Sequence, residues 1–172
     1  MLDIQLILGN IVALIASILM VISGSLKDRK KIIYVQTLQI IAFTISDLIL
    51  GGYTGAIINV ISLIRNNLSY VDKLTTMPKI ILITLSIVLS ICFNNLGLVG
   101  MLPVISMVSF TLLMNIKDVI KFKLLIIFTM ILWFTFDLCI RSYTSAIFDF
   151  FSIIANIFTA YQLYVKEKQR NS

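Results

Sequence analysis

Histidine is absent from this chain of 172 residues, and cysteine and proline are reduced to two each. Without histidine, and with no CxxC or other paired-ligand spacing, the common zinc and iron sites have no ligand set. No metal and no cofactor is therefore expected. Charge is scarce as well: 13% of the residues are Asp, Glu, Lys or Arg, against roughly 25% in a soluble domain, while 59% are hydrophobic. Also missing are a glycine-rich phosphate loop, a Ser or Cys with a basic partner, and two carboxylates within one turn of an apolar helix. The familiar enzyme chemistries lose their machinery with them, and the chain is not expected to be an enzyme. Cys92 and Cys139 lie inside apolar runs, where a free thiol acts as a small hydrophobe, so neither a disulfide nor a ligand role is expected of them.

What remains is apolar sequence. A bilayer core about 30 Å thick calls for roughly 20 apolar residues per helix. Seven segments approach that, at 4–24, 31–51, 53–69, 78–95, 97–115, 121–140 and 143–165. An all-α membrane protein is the expectation. The first run is long enough to span and Met1-Leu2-Asp3 offers no basic flank, so it reads as a retained helix rather than a cleaved signal. The formal charge of +6 does not mark a nucleic-acid partner, because the cations collect beside apolar segments instead of forming a basic domain. Lys27, Arg29, Lys30 and Lys31 follow the first segment; Arg65, Lys73 and Lys79 accompany the end of the third; Lys117, Lys121 and Lys123 follow the fifth; Lys166, Lys168 and Arg170 lie in the tail. The alternate loops hold Gly51-Gly52, Asn94-Asn95 and a lone Arg141. Cations favour short cytoplasmic loops, which predicts an outside N-terminus and a cytoplasmic tail at 166–172.

The chain is also written twice. Asp47-Leu48 recurs ninety residues later as Asp137-Leu138, and YTGAI at Tyr53–Ile57 recurs as YTSAI at Tyr143–Ile147. Asn59, Ser62, Asn66 and Ser69 return as Asp149, Ser152, Asn156 and Thr159, while Lys27, Asp28 and Lys31 return as Lys117, Asp118 and Lys121. One constant offset without a gap predicts a tandem duplication. The predicted units are 4–69 and 97–165, each of three helices. A linker helix at 78–95 between them restores the orientation of the second unit, so the two are parallel repeats in a single domain (3+1+3).

Steps of three and four place Asn59, Ser62 and Asn66 on one helix face, and likewise Asp149, Ser152 and Asn156. Asp149 lies about six residues into its segment, ~9 Å deep at 1.5 Å per residue. Inserting an Asp in apolar surroundings costs up to roughly 2.5–3.5 kcal/mol, which points to a wet cavity or a bonded partner inside the bundle. Asn59 and Asp149 are the leading candidates for substrate contact, with Asn66 and Asn156 lining an inner exit. Phe43 and Trp133 each precede a carboxylate, Asp47 and Asp137, by four residues, so either ring could wall a ligand. Arg141 follows Asp137 by four and is expected to pair with it or to close an outer gate with Asp47; Tyr53 and Tyr143 join this secondary set. Arg65, opposite Ala155 in the repeat, is expected to snorkel to headgroups. Gln36, Gln39, Asn10 and Asn115 receive no role.

These features carry a resemblance. Two parallel three-helix units around one linker, with an aromatic sixteen residues before the polar position of the third helix (Phe43 to Asn59, Trp133 to Asp149), resemble the SWEET and PQ-loop transporter superfamily, which includes PnuC-type vitamin transporters. Within it, size and polar pattern resemble the YgjV-type bacterial inner-membrane proteins over nearly the whole chain. The Pro-Gln dipeptide of PQ-loop members is missing, and Pro103 is the intramembrane proline. The resemblance implies a bacterial inner-membrane location, a lipid environment and a small-molecule substrate, and it leaves a homo-oligomer open. The expected activity is transport of a small polar solute (vitamin-, nucleoside- or sugar-like, with a cation a candidate because of Asp149) by alternating access. Two alternatives stay open: a substrate-binding subunit of an ATP-driven importer, and a non-transporting scaffold or receptor.

Overall fold

The computed structural model of the protein describes residues 2–25, 29–71, 73–113 and 118–170. It is all helical: α1 (Leu2–Ser25), α2 (Arg29–Leu50), α3 (Tyr53–Tyr70), α4 (Thr76–Phe93), α5 (Leu102–Leu113), α6 (Val119–Cys139) and α7 (Tyr143–Arg170), with a single 3-10 turn at Val99–Met101. Seven helices were expected at these places. The largest difference is the fifth, which begins at Leu102 because the chain takes the 3-10 turn first. Pro103 therefore sits in the first turn of α5, where its missing N–H leaves no bond unmade, and not at a hinge in mid-membrane. Of the duplicated first loop, Lys27, Asp28 and Lys117 lie outside the described residues.

Among the described residues, three helices are long and apolar enough to cross a membrane, over Ile4–Ile22, Thr76–Phe93 and Tyr143–Val165. Shorter apolar stretches occupy Tyr34–Leu50 and Val99–Leu113. The 18 residues of α3 include Asn59, Ser62, Arg65, Asn66 and Asn67. That polar content lowers the hydropathy of α3, and its position inside the molecule explains how the helix carries it.

The burial pattern inverts that of a soluble domain. Ile4, Ile7, Leu8, Ile11 and Ile18 of α1, Ile80, Ile81 and Ile91 of α4, and Phe150, Phe151 and Phe158 of α7 face outward, while Ser46, Asp47, Asn59, Arg65, Asp137, Ser142 and Asp149 are buried. Where the solvent is as apolar as leucine, helices gain nothing by hiding leucine from it, and small and polar residues make the contacts instead. A compact apolar cluster of Ile58, Ile61, Leu82, Val104 and Met107 joins α3, α4 and α5, with Trp133 of α6 packed against it.

The helix contacts close a ring. Helix α1 packs on α2, α2 on α3, α3 on α5, α5 on α6, α6 on α7, and α7 returns to α1; α4 leans on α3 and α5. Two turns of the same construction anchor this ring. In the first, Gly52 N donates to Asp47 O (2.7 Å) and Gly51 N to Leu48 O (3.4 Å), with Gly51 at φ 79°. In the second, Ser142 N donates to Asp137 O (2.8 Å) and Arg141 N to Leu138 O (3.2 Å), with Arg141 at φ 61°. Both are Schellman closures, in which a left-handed residue lets the chain turn back and satisfy the last helical carbonyls. Each turn is also held by an asparagine from another segment. Asn10 of α1 donates to Arg141 O (2.9 Å) and accepts from Thr144 N (3.0 Å), and Asn95 donates to Gly51 O (2.8 Å).

Candidate functional site

The two turns fix where the carboxylates of α2 and α6 point. Asp47 and Asp137 each lie one turn before a helix end whose carbonyls are already satisfied, and both side chains are buried, at 3% and 5% exposure. The following helices start immediately, so the residues six positions into α3 and α7 come level with those carboxylates. Asn59 Nδ2 donates to Asp47 Oδ2 at 2.9 Å. At the matching place, the carboxyl groups of Asp137 and Asp149 stand within hydrogen-bond reach of each other. All three acids are near enough to interact electrostatically. A carboxyl–carboxyl contact requires a proton or a bound donor between the oxygens, so this end of the molecule is rich in acceptors that call for hydrogen.

These groups open onto a cavity of about 270 Å³. Its lining falls largely into pairs ninety residues apart: Phe43 with Trp133, Asp47 with Asp137, Asn59 with Asp149, Gln39 with Thr129, Ile40 with Met130, and Met20 with Phe110. Ile58, Ser62, Arg65 and Asn66 of α3, Ser106 and Met107 of α5, and Ile126 of α6 complete the wall. Trp133 meets the buried Phe136 edge to face, with ring centroids 5.8 Å apart, which holds the indole in place as a wall.

The structure brings most of the sequence-predicted residues together. Phe43, Asp47, Asn59, Asn66, Trp133, Asp137 and Asp149 line the one space, so Asp47 and Asp137 share it with Asn59 and Asp149. Asn156 does not: its carboxamide accepts from Lys123 Nζ (2.9 Å) and donates to Ser152 O (2.8 Å), bonds that tie α7 to α6. Tyr53 and Tyr143 are half exposed at the starts of α3 and α7 and lie outside the lining. The expected Arg141 contacts fail as well. Arg141 is exposed, and the ion pair found among the described residues is Lys121 with Asp118 (3.9 Å). The reason is conformational: position 141 is the left-handed residue of the turn, and the two Asp side chains point inward.

Arg65 is the clearest correction. It does not reach for headgroups but is buried at 8% exposure and lines the cavity. Its Nε and Nη2 donate to Asn66 Oδ1 (3.2 and 3.0 Å), and the guanidinium lies 4.9 Å from the centre of the Phe110 ring. Gln39, left without a role, also belongs to the wall, as does Thr129 ninety residues on. Their common offset was the signal that could have found them. Met20 and Phe110 share that offset too, but as apolar residues in apolar helices they gave no contrast to read.

An all-α membrane protein, polar within and apolar without, with three acids and one arginine around a central cavity, is what these observations define. The chain belongs to Imp-YgjV, a family of bacterial inner membrane proteins, which it matches over residues 7–167. No curated protein and no solved structure matches it.

Proposed function

We propose that the protein is a small-solute facilitator, not an enzyme, in which two parallel three-helix repeats, α1–α3 and α5–α7 joined by α4, rock about the central cavity and expose it alternately to the two sides of the inner membrane. The observation that carries this reading is the lining itself, six pairs of residues at one constant offset. A cavity walled by equivalent positions of two units has its binding groups on the boundary between the parts that would move, as alternating access requires. Such a boundary lies at α3 with α5 and at α7 with α1, and the Asn10 bonds to the α6–α7 turn span it. The size supports a small cargo, since about 270 Å³ falls just under the roughly 300–1,000 Å³ of drug-sized sites. Asn59 and Asp149 contact the solute, Phe43 and Trp133 wall it, and Asn66 lines the path inward. The cation distribution of the loops supports an outside N-terminus and a cytoplasmic tail. A plan of this kind resembles that of the SWEET and PQ-loop superfamily.

A second reading has an observation of its own. Asn59 is bonded to Asp47, and Asp149 reaches Asp137, so these pairs could serve only to glue α2 to α3 and α6 to α7 in a scaffold. Transport decides between the two. Proteoliposomes holding the full chain should take up at least one of radiolabelled thiamine, uridine, glucose, choline and 4-aminobutanoate, and the Asn59→Ala, Asp149→Ala double variant should lose that uptake while remaining folded by circular dichroism. Uptake undiminished in the double variant would take Asn59 and Asp149 out of the solute site, and uptake absent for every solute in the wild type would leave the scaffold reading standing.

A further inference from the structure

All six position pairs place apolar beside apolar or polar beside polar, but α3 adds a group that α7 lacks. At position 65 there is an arginine, and the corresponding residue is Ala155. A guanidinium at 8% exposure with no carboxylate pairing it among the described residues is an uncommon arrangement, because a buried cation is normally matched by an anion. Asn66 takes up two of its five N–H donors, and the Phe110 ring centre lies 4.9 Å from its carbon. The rest of the guanidinium is left for an anion. At the other end of the same wall stand Asp47, Asp137 and Asp149, which are acceptors in need of donors. Along α3, six residues separate Asn59, level with the acids, from Arg65, which is about 9 Å of helix at 1.5 Å per residue. Acid end and basic end therefore belong to one cavity and lie one small molecule apart.

Building on the cavity as a substrate site, we propose that its ligand is dipolar: an ammonium-type cation held by the Asp47, Asp137 and Asp149 group, and an oxyanion, carboxylate or phosphate, held by Arg65, with Phe43, Trp133 and Phe110 along the stem between. The chemistry fits at both ends. An ammonium offers three donors and no acceptor to a set of carboxyl oxygens, while a guanidinium presents a planar fork to an oxyanion. A sugar-like or nucleoside-like neutral solute would leave Arg65 without a counter-charge. A simple cation would do the same.

The test uses the purified full-length chain in detergent and reads ligand-induced melting shifts. The probes are ω-amino acids from glycine to 6-aminohexanoate, O-phosphoethanolamine, 1,4-diaminobutane, glutarate, glucose and uridine. At least one of the zwitterions should raise the melting temperature, with the diamine and the dicarboxylate needing at least about tenfold higher concentration for the same shift. Arg65→Gln should erase the preference for zwitterion over diamine, and Arg65→Lys should restore most of it; if Arg65→Gln does not fold, the wild-type ranking and Arg65→Lys decide. Equal responses to zwitterion and diamine, or a preference unchanged in Arg65→Gln, would overturn the dipolar assignment. Binding of glucose or uridine without any zwitterion would sink this inference and spare the facilitator reading, whereas no response to any probe, together with no uptake in proteoliposomes, would remove both.

Discussion

Gly55 is a point of close approach between α3 and α6, and it yields a prediction with a worked magnitude. A Cβ at this position would lie 2.6 Å from Phe136 Cε1 and 2.8 Å from Asp47 Oδ2, both closer than non-bonded atoms tolerate. Phe136 cannot withdraw, since it is fully buried, packed edge to face on Trp133, and also against Gly52, where an added Cβ would come within 3.1 Å of its Cζ. At the corresponding positions of the second half, Ser142 and Ser145 carry side chains and bond to each other at 2.8 Å, and the counterpart of Phe136 is the small Ser46. One large ring on one side is thus matched by two glycines. Overpacking of this kind costs about 1–3 kcal/mol, and a chain of this size loses about 2–4 °C of melting temperature per kcal/mol. Gly55→Ala should therefore melt roughly 2–12 °C below wild type in detergent-solubilised thermal denaturation. Phe136→Leu makes room, so in the double variant the alanine should cost less than it does alone, with a coupling of about 0.5–3 kcal/mol. A Gly55→Ala variant as stable as wild type, or strictly additive single changes, would refute the contact and with it the close approach of α3 to α6.

Three further outcomes follow from single contacts. Arg141→Gly should stabilise the protein by about 1 kcal/mol, because a left-handed conformation costs a side-chain-bearing residue roughly 1–2 kcal/mol; a lower melting temperature would mean that the Arg141 side chain has a partner of its own. Asn59→Leu removes the donor to a buried acceptor of Asp47 and should cost about 1–3 kcal/mol, read as a loss in the same melting assay, and no loss would show that Asp47 does not depend on that amide. Asn10→Ala deletes two hydrogen bonds that hold the α6–α7 turn to α1. At about 0.5–1.5 kcal/mol each, the loss should be near 1–3 kcal/mol, with faster hydrogen exchange at Ser142–Ala146 as its local signature. Exchange unchanged there would place the anchor elsewhere.

The helices were legible in the sequence because lipid demands long apolar runs, and each interruption (Gly51-Gly52, Asn94-Asn95, Arg141) fell at a real turn. The start of α5 was not legible, since Val99–Met101 is as apolar as the helix it precedes, and only Pro103 hinted that a first turn lay there. In the site, the polar identities at one offset led to Asp47, Asn59, Asp137 and Asp149 because charge inside an apolar helix is costly and has to be answered. The same reasoning failed at Arg65. A cation near a helix end has an inexpensive exit to the headgroups, and only the packing of Phe110 and Asn66 shows that this side chain turns inward. Asn156 failed in the opposite sense: its repeat partner Asn66 lines the cavity, but Lys123, reaching over from α6, takes up the Asn156 carboxamide.

The central claim is that the polar edge of α3 faces water-accessible space while its neighbouring edge faces lipid. Ser62 lines the cavity, and Ile64, two residues on, is exposed on the outer surface. In a background with Cys92→Ala and Cys139→Ala, Ser62→Cys should react in sealed membranes with a small water-soluble thiol reagent applied to one side or the other, while Ile64→Cys should stay unreactive. Equal inertness of both positions, or labelling of Ile64→Cys with Ser62→Cys protected, would contradict the account.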